Sequence, residues 1–276
     1  KTTANSTGSA GSVSKGPVGT ASVSVSGGML DLYGSTLANA ISLSGTGNSS
    51  SGALANSNTS TAGTVNGAVT LAADASIGGA GNFTVNGSIS GAHQLTFNQS
   101  GVVTLSVSNG YSGGTIINSG TINLGNGSAL PASKDVTING GTLDIKGQTI
   151  SIGNFYINGG ITQDTGSPLG VFQATTYIVQ TTSSAELDVV LSGSGDFTMS
   201  GLGSVTLTKA NTFTGTTTVN AGQTLILSDG GILASSKALV VNGSFQISSI
   251  TNSSASIKTI SGCLLYTSPS PRDQRG

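Results

Sequence analysis

Gly101-Val102-Val103-Thr104-Leu105-Ser106-Val107-Ser108-Asn109-Gly110-Tyr111-Ser112-Gly113 and Gly203-Ser204-Val205-Thr206-Leu207-Thr208-Lys209-Ala210-Asn211-Thr212-Phe213-Thr214-Gly215 lie 102 residues apart and share one pattern. In both, apolar side chains alternate with small polar ones, and an Asn, an aromatic residue and a Gly follow at fixed spacing. The match spreads outward. Upstream, Ile89-Ser90-Gly91 answers Leu191-Ser192-Gly193, and Leu95-Thr96-Phe97 answers Phe197-Thr198-Met199. Downstream, Thr115, Ile117, Asn118 and Gly120 align with Thr217, Val219, Asn220 and Gly222. One inserted residue, Gln223, shifts the frame before Thr121-Ile122-Asn123-Leu124 meets Thr224-Leu225-Ile226-Leu227. Such recurrence of apolar and Gly positions marks stacked structural units. A shorter echo links Gly28-Met29-Leu30-Asp31-Leu32 to Gly141-Thr142-Leu143-Asp144-Ile145, with Gly34, Thr36 and Gly147, Thr149 in the same places.

Within each repeat the period is two. Val103-x-Leu105-x-Val107, Ile122-x-Leu124, Val136-x-Ile138, Leu143-x-Ile145, Ile150-x-Ile152 and Phe245-x-Ile247 alternate apolar with polar residues. This is strand patterning with one buried face, and no segment carries helical spacing. Asn-Gly punctuates the strands at Asn66, Asn86, Asn109, Asn126, Asn139, Asn158 and Asn242. Left-handed backbone at these Asn and Gly residues is the expected way of turning the corners. Asn-Gly is also a hairpin signal, so an antiparallel sandwich or barrel competes. Chain length, the long repeat and the scarcity of aromatics favour stacking instead, because thin coils bury aliphatic ladders. The expectation is all-β: a right-handed parallel β-helix, one elongated domain, with Asn, Ser and Thr ladders at corners. At roughly 20–22 residues per coil it would make about twelve coils.

Composition narrows the function classes. Among 276 residues, 43 are Gly, 7% are charged, and the formal net charge is −1, which leaves no basic footprint for nucleic acid. A single Cys and a single His exclude a disulfide framework and leave little for a metal site. Positive mean hydropathy does not fit disorder, and the Gly residues lack the triplet period of collagen.

The chain begins Lys1-Thr2-Thr3, without initiator Met or signal-like segment, so a removed signal or an internal fragment is expected. At the other end, Cys263-Leu264-Leu265-Tyr266-Thr267-Ser268-Pro269-Ser270-Pro271-Arg272-Asp273 breaks the composition and resembles the translation of a sequencing-library adapter. The tail, residues 263–276, is therefore read as non-biological; it contains both arginines and the Cys. The organisation expected is an irregular N-terminal edge over 1–17, β-helix repeats over 18–262, and that tail.

Two stretches carry a family resemblance. Asp74-Ala75-Ser76-Ile77-Gly78-Gly79-Ala80-Gly81-Asn82-Phe83-Thr84-Val85, through Ile89-Ser90-Gly91, resembles autotransporter passenger sequence. Leu207-Thr208-Lys209-Ala210-Asn211-Thr212-Phe213-Thr214-Gly215-Thr216-Thr217-Thr218-Val219-Asn220-Ala221-Gly222 resembles the autotransporter-associated β-strand repeat. The first copy departs from that pattern at Gly110, where Thr212 stands in the second, and residues 160–190 fit it poorly. The resemblance covers about residues 18–247. It implies a passenger exported through the inner membrane and displayed on a Gram-negative cell surface by a C-terminal β-barrel translocator. That barrel is absent from this fragment, in keeping with truncation at the adapter.

Candidate chemistry is thin. Gly110-Tyr111-Ser112-Gly113-Gly114 satisfies G-x-S-x-G, but no helix follows, the only His (His93) comes earlier, and Thr214 takes the place of Ser112 in the second repeat. Glu186 and Asp188 lie two apart on one strand face, a spacing that could serve glycoside cleavage; their repeat equivalents Thr84 and Asn86 suggest a solvated face. Asp31 and Asp144 recur in the shorter echo and read as structural or solvating groups. Gly78-Gly79-Ala80-Gly81-Asn82-Phe83 begins like a calcium nonapeptide, but Phe83 replaces the required Asp. His93 reads as a surface turn residue, and Tyr111 with Phe213 as turn packing.

No catalytic, cofactor-binding or metal-binding residue is expected, and no cofactor. The expected function is a non-enzymatic, surface-displayed stalk of an autotransporter. The alternative is an adhesin whose β-helix flank mediates attachment or aggregation. The expected partner is a cell-surface or extracellular ligand, with no nucleic acid.

Overall fold

A computed structural model describes residues 7–9, 12–15, 18–250 and 257–262. The tail 263–276 lies outside the described residues. Alternation in sequence becomes alternation in burial. Along Leu95–Leu105, the side chains of Leu95, Phe97, Val103 and Leu105 are buried, whereas Thr96 and Thr104 face outward. Here the apolar faces of the strands are satisfied by meeting inside a closed coil.

The coil closes through three parallel ladders. On the first, Val23, Ile41, Val69 and Ile89 stack one above another, and Ile150, Phe172 and Leu191 continue the series. On the second, Phe97, Ile117, Ile138, Ile157, Val179 and Met199 follow in register. On the third, Phe83, Val103, Ile122, Leu143, Thr162, Leu187 and Leu207 do so. The result is a 25-stranded sheet wound into a parallel solenoid of about 12 turns. At about 4.8 Å per strand spacing, about twelve turns stack to roughly 55 Å. Residues 160–190, a poor match to the repeat, continue the coil without a break. Within the segment expected to be an irregular edge, Thr7–Ser9 and Ser12–Lys15 form a separate antiparallel pair.

The 102-residue repeat is now explained: it is five turns. Leu95 reaches Phe197 through Thr115, Val136, Phe155 and Tyr177 on one inward column. The third ladder departs from this count. Five turns above Val103 stands Leu207, not its repeat-mate Val205, so that ladder has slipped by two residues. A slip of two keeps the buried face buried, whereas a slip of one would have turned every side chain over.

Aromatic residues are few but central, contrary to the expectation of purely aliphatic ladders. Phe83, Phe97, Phe155, Phe172, Phe197 and Phe213 are fully buried. Phe155 and Phe172 lie 4.7 Å apart, and Phe197 stacks on Phe213 at 6.0 Å. Large rings fill a coil interior where aliphatic columns alone would leave gaps that cost contacts.

The Asn-Gly corners also differ from expectation. Among the described residues, no Asn and no glycine of an Asn-Gly pair has a positive φ. Apart from Gly110, which has open space around it, what the glycines of these pairs supply is room: a Cβ on Gly87 would overlap the carbonyl of Gly67, and one on Gly140 would lie 2.7 Å from the Asn118 oxygen. After Gly140 and Gly159 the left-handed residue is the next one along, Gly141 (φ 72) and Gly160 (φ 75), stacked beneath one another with Gly120 (φ 75). The expected Asn ladder is present beside them. Asn118 Nδ2 donates to Asn98 Oδ1 at 2.7 Å, Asn139 to Asn118 at 2.7 Å, and Asn158 to Asn139 at 2.8 Å.

Candidate functional site

Two buried carboxylates, Asp31 and Asp144, sit at corners that share one design. The strand residue Leu30 precedes Asp31, and Leu143 precedes Asp144. In each case the chain must reverse within two residues, and the carboxylate takes the backbone N–H groups left without a ladder partner. Asp31 Oδ1 accepts from the Tyr33 and Ser57 N–H groups, both at 3.0 Å, and Oδ2 accepts from Ser57 Oγ at 2.6 Å. Asp144 Oδ1 accepts from the N–H of Lys146 at 3.0 Å and of Thr165 at 3.1 Å, and Oδ2 accepts from Thr165 Oγ1 at 2.7 Å. Gln163 Nε2 and Lys146 Nζ complete the Asp144 carboxylate at 3.0 and 3.1 Å.

Tyr33 and Lys146 both take the strained positive φ that this turn demands (49° and 50°). The following Gly34 and Gly147 donate to Asn56 and Asp164 of the next coil, at 2.8 and 2.6 Å. The two corners nevertheless stand on different ladders. Leu30 pairs within the second ladder and Leu143 within the third. The shorter echo is therefore a reused corner rather than a stacking period.

Burial by itself favours a neutral carboxyl. At Asp144 the bonds from Thr165, Gln163 and Lys146 outweigh it and hold the group at about 2. At Asp31 burial is likewise outweighed by the Ser57 and Tyr33 donors, and the group lies below the usual carboxylate range. Both carboxylates are ionised, saturated and closed off: Asp31 is 6% exposed and Asp144 1%. A group spent in this way is a structural tie, which is one of the two roles the sequence allowed. The solvating role does not fit.

The second repeated device is Asn109 and Asn211. Where the first ladder lacks a strand, Asn109 Oδ1 accepts the Ile89 N–H at 2.7 Å and Nδ2 donates to Ala129 O at 2.7 Å. Five turns later, Asn211 Oδ1 accepts the Leu191 N–H at 3.0 Å, and its Nδ2 donates to Lys209 O at 2.9 Å. An inward amide here substitutes for a strand rung. Tyr111 and Phe213, two residues on, point into the core. The Tyr111 hydroxyl pairs with Thr115 Oγ1 at 2.6 Å, and burial pushes that phenol up. Tyr177 is pushed up to about 12 by burial, its hydroxyl lying 2.7 Å from Ser192 O.

The remaining sequence candidates do not converge. Ser112 lies exposed in the turn, its N–H bonded to Gly91 O at 2.9 Å. His93 sits at a half-buried surface bend with Nδ1 3.7 Å from Asp74 Oδ1. Glu186 is exposed and borders a shallow depression of about 320 Å³ with Ile161, Ser184 and Thr206. Asp188 is instead engaged by Thr208 Oγ1 and Lys209 Nζ of the next coil. The slip of the third ladder also places Asp188, rather than Glu186, in the column of Thr84. Phe83, standing where a calcium loop needs Asp, is fully buried in the core. Among the described residues no group of three or more His, Cys, Asp or Glu is gathered.

Sequence reading missed the buried amides. Gln99 is fully buried with neither amide atom paired, and the inserted Gln223 reaches Thr181 O two coils away at 3.4 Å. Their inward parity, two residues after Phe97 and two before Leu225, was the available signal.

Residues 95–124 and 190–227 match the passenger-associated-transport-repeat. Each matched stretch contains one Asn-x-aromatic-x-Gly turn and the ladder strands around it, in keeping with an autotransporter passenger with β-strand repeats. No curated protein and no solved structure matches the chain.

Proposed function

We propose that this chain is a non-enzymatic structural segment of an autotransporter passenger. It would hold a neighbouring module away from the outer surface of the cell that displays it. The observation that carries this reading is how the polar side chains of the interior and corners are used. Asp31, Asp144, Asp164, Asn56, Asn109 and Asn211 all bond from one coil to the next. Groups committed to holding turns together cannot also bind or turn over a substrate without opening the stack. The repeat match supports surface display, which belongs to the same proposal.

The rival reading is direct attachment through a flank. It would use the outward row Thr96, Ile116, Thr137, Tyr156, Ile178 and Thr198, which lies half-buried on the second ladder. Removing Ile89–Val190 from the full-length protein deletes five turns and places Leu191 where Ile89 stood. Unchanged adhesion with a shorter projection supports the spacer; lost adhesion with normal display overturns it in favour of the flank. Glycan hydrolysis that disappears in Glu186→Gln would overturn the non-enzymatic reading altogether.

A further inference from the structure

Seven Asn-Gly pairs share one local sequence and differ sharply in what the fold does with them. The chemistry at issue is attack of the glycine nitrogen on the preceding Asn side-chain carbon, which requires loss of the glycine N–H proton to solvent base. At five pairs that N–H is donated to the coil before it: Gly67 to Leu37 O at 3.4 Å, Gly87 to Val65 O at 3.2 Å, Gly110 to Ile89 O at 2.8 Å, Gly140 to Ile117 O at 3.4 Å, and Gly243 to Val219 O at 3.1 Å. Asn158 is held differently. Its Nδ2 is bound to Asn139, and its Oδ1 is buried with no donor.

The Gly159 N–H, like that of Gly127, donates to no acceptor among the described residues, so what sets Asn126-Gly127 apart is a free glycine N–H beside a free side-chain amide nitrogen. This pair opens the turn leading from the third ladder at Leu124 to the buried Leu130. The Asn126 carbonyl accepts the Ala129 N–H at 3.0 Å, closing a β-turn in which Gly127 stands second. Among the described residues the Gly127 N–H and Asn126 Nδ2 have no hydrogen-bond partner, and both residues are half-buried at the surface. One contact goes further than freedom. The Ser128 N–H donates to Asn126 Oδ1 at 2.8 Å. That bond polarises the amide carbonyl and is aimed at the oxygen on which negative charge develops when Cγ is attacked.

We propose that Asn126-Gly127 is a self-modification site, at which this folded chain converts an asparagine into isoaspartate or aspartate ahead of its other Asn-Gly pairs. The deprotonated Gly127 nitrogen forms a bond to Asn126 Cγ. The Cγ–Nδ2 bond breaks, and Nδ2 leaves as ammonia after taking a proton from solvent, giving a five-membered imide. Water then adds to one of the two imide carbonyls and opens the ring. Attack at the backbone carbonyl gives the isoaspartyl linkage, and attack at the side-chain carbonyl gives aspartate. The balance is asparagine plus water to acid plus ammonia, with no redox partner. The product places a new carboxylate at this turn, and the isoaspartyl form adds one carbon to its backbone.

The test is to hold the whole chain at mildly alkaline pH, natively and in parallel in denaturant, and to follow acid formation at all seven pairs by peptide mass spectrometry. In the native chain Asn126 should convert at least about tenfold faster than Asn109 and Asn139, whose ladder amides open only in larger cooperative units. In denaturant the difference should collapse. Asn126→Gln should remove the fast phase and leave the other six sites unchanged. Native conversion at Asn126 no faster than at Asn139, or the same order of sites persisting in denaturant, would overturn the proposal.

Discussion

Residues 95–163 and 197–229 run through the same sequence pattern, yet they close the corner between the second and third ladders in two ways. In the first region the path is short: Phe97 leads to Val103, Ile117 to Ile122, Ile138 to Leu143 and Ile157 to Thr162. It is built from the Asn98–Asn158 amide ladder and the left-handed column of Gly120, Gly141 and Gly160. In the second region the path is longer, from Met199 to Leu207 and Val219 to Leu227. There the buried Gln223 and Thr181 fill the corner, and Ser200 stands where the Asn ladder would continue. A solenoid thus fixes the parity of each ladder but not the length of the path between ladders. The slip of two residues is the visible consequence.

The difference can be broken most forcefully at the glycine columns. A Cβ on Gly141 would lie 2.5 Å from the Gly120 carbonyl, a backbone atom that cannot give way. A Cβ on Gly222 in the second region meets the end of the Leu202 side chain at 2.8 Å, which can swing aside. Both positions have positive φ. Gly141→Ala should therefore cost about 3 kcal/mol and Gly222→Ala about 1 kcal/mol, read from denaturant midpoints. Equal costs would remove the distinction between the corners.

Acid should act next, and on the first region. Asp144 is depressed to about 2 from the ordinary carboxylate value of 3.8, so its stabilising contribution is complete above pH ~4 and is lost as pH falls toward 2. The loss amounts to about 2 kcal/mol by linkage. Hydrogen exchange should show the coils at residues 143–165 opening first, and Asp144→Asn should flatten that pH dependence.

Breaking the amide ladder in its middle, with Asn139→Ala, removes two side-chain bonds and should cost about 1.5 kcal/mol; Ser200→Ala in the second region should cost less than about 0.5 kcal/mol. The smallest effect sharpens the comparison from the other side. Asn158 Oδ1 is a buried acceptor without a donor, and Gln180 occupies the next rung. Gln180→Asn should extend the ladder by one bond and stabilise by about 0.5 kcal/mol, seen as a raised denaturant midpoint.

Much of this was legible in the sequence, and the reason is periodicity. Alternation such as Val103-x-Leu105 and the 102-residue recurrence carry strand type, buried face and stacking directly, because each coil repeats the environment of the last. The Asn corner ladders were legible on the same ground. The role of the Asn-Gly glycines was not, because close approach to the coil below looks in sequence like any other need for glycine. Nor was the standing of Asp31 and Asp144, since a reused corner gives the same local string on either ladder. The inward turn of Phe197 and Phe213 was hidden by low aromatic content, which bears on number and not on place. For the candidate site, sequence spacing put Glu186 and Asp188 on one face but could not show that Asp188 is taken up by Lys209 and Thr208.

The central claim is that 102 residues amount to five turns of one continuous stack. Deleting Ile89–Val190 and measuring the particle by small-angle X-ray scattering tests it most directly. The account predicts an unchanged cross-section, retained β-structure and a maximum dimension shorter by about 24 Å, five strand spacings. An unfolded chain, or a folded one whose thickness rather than length has changed, would contradict it.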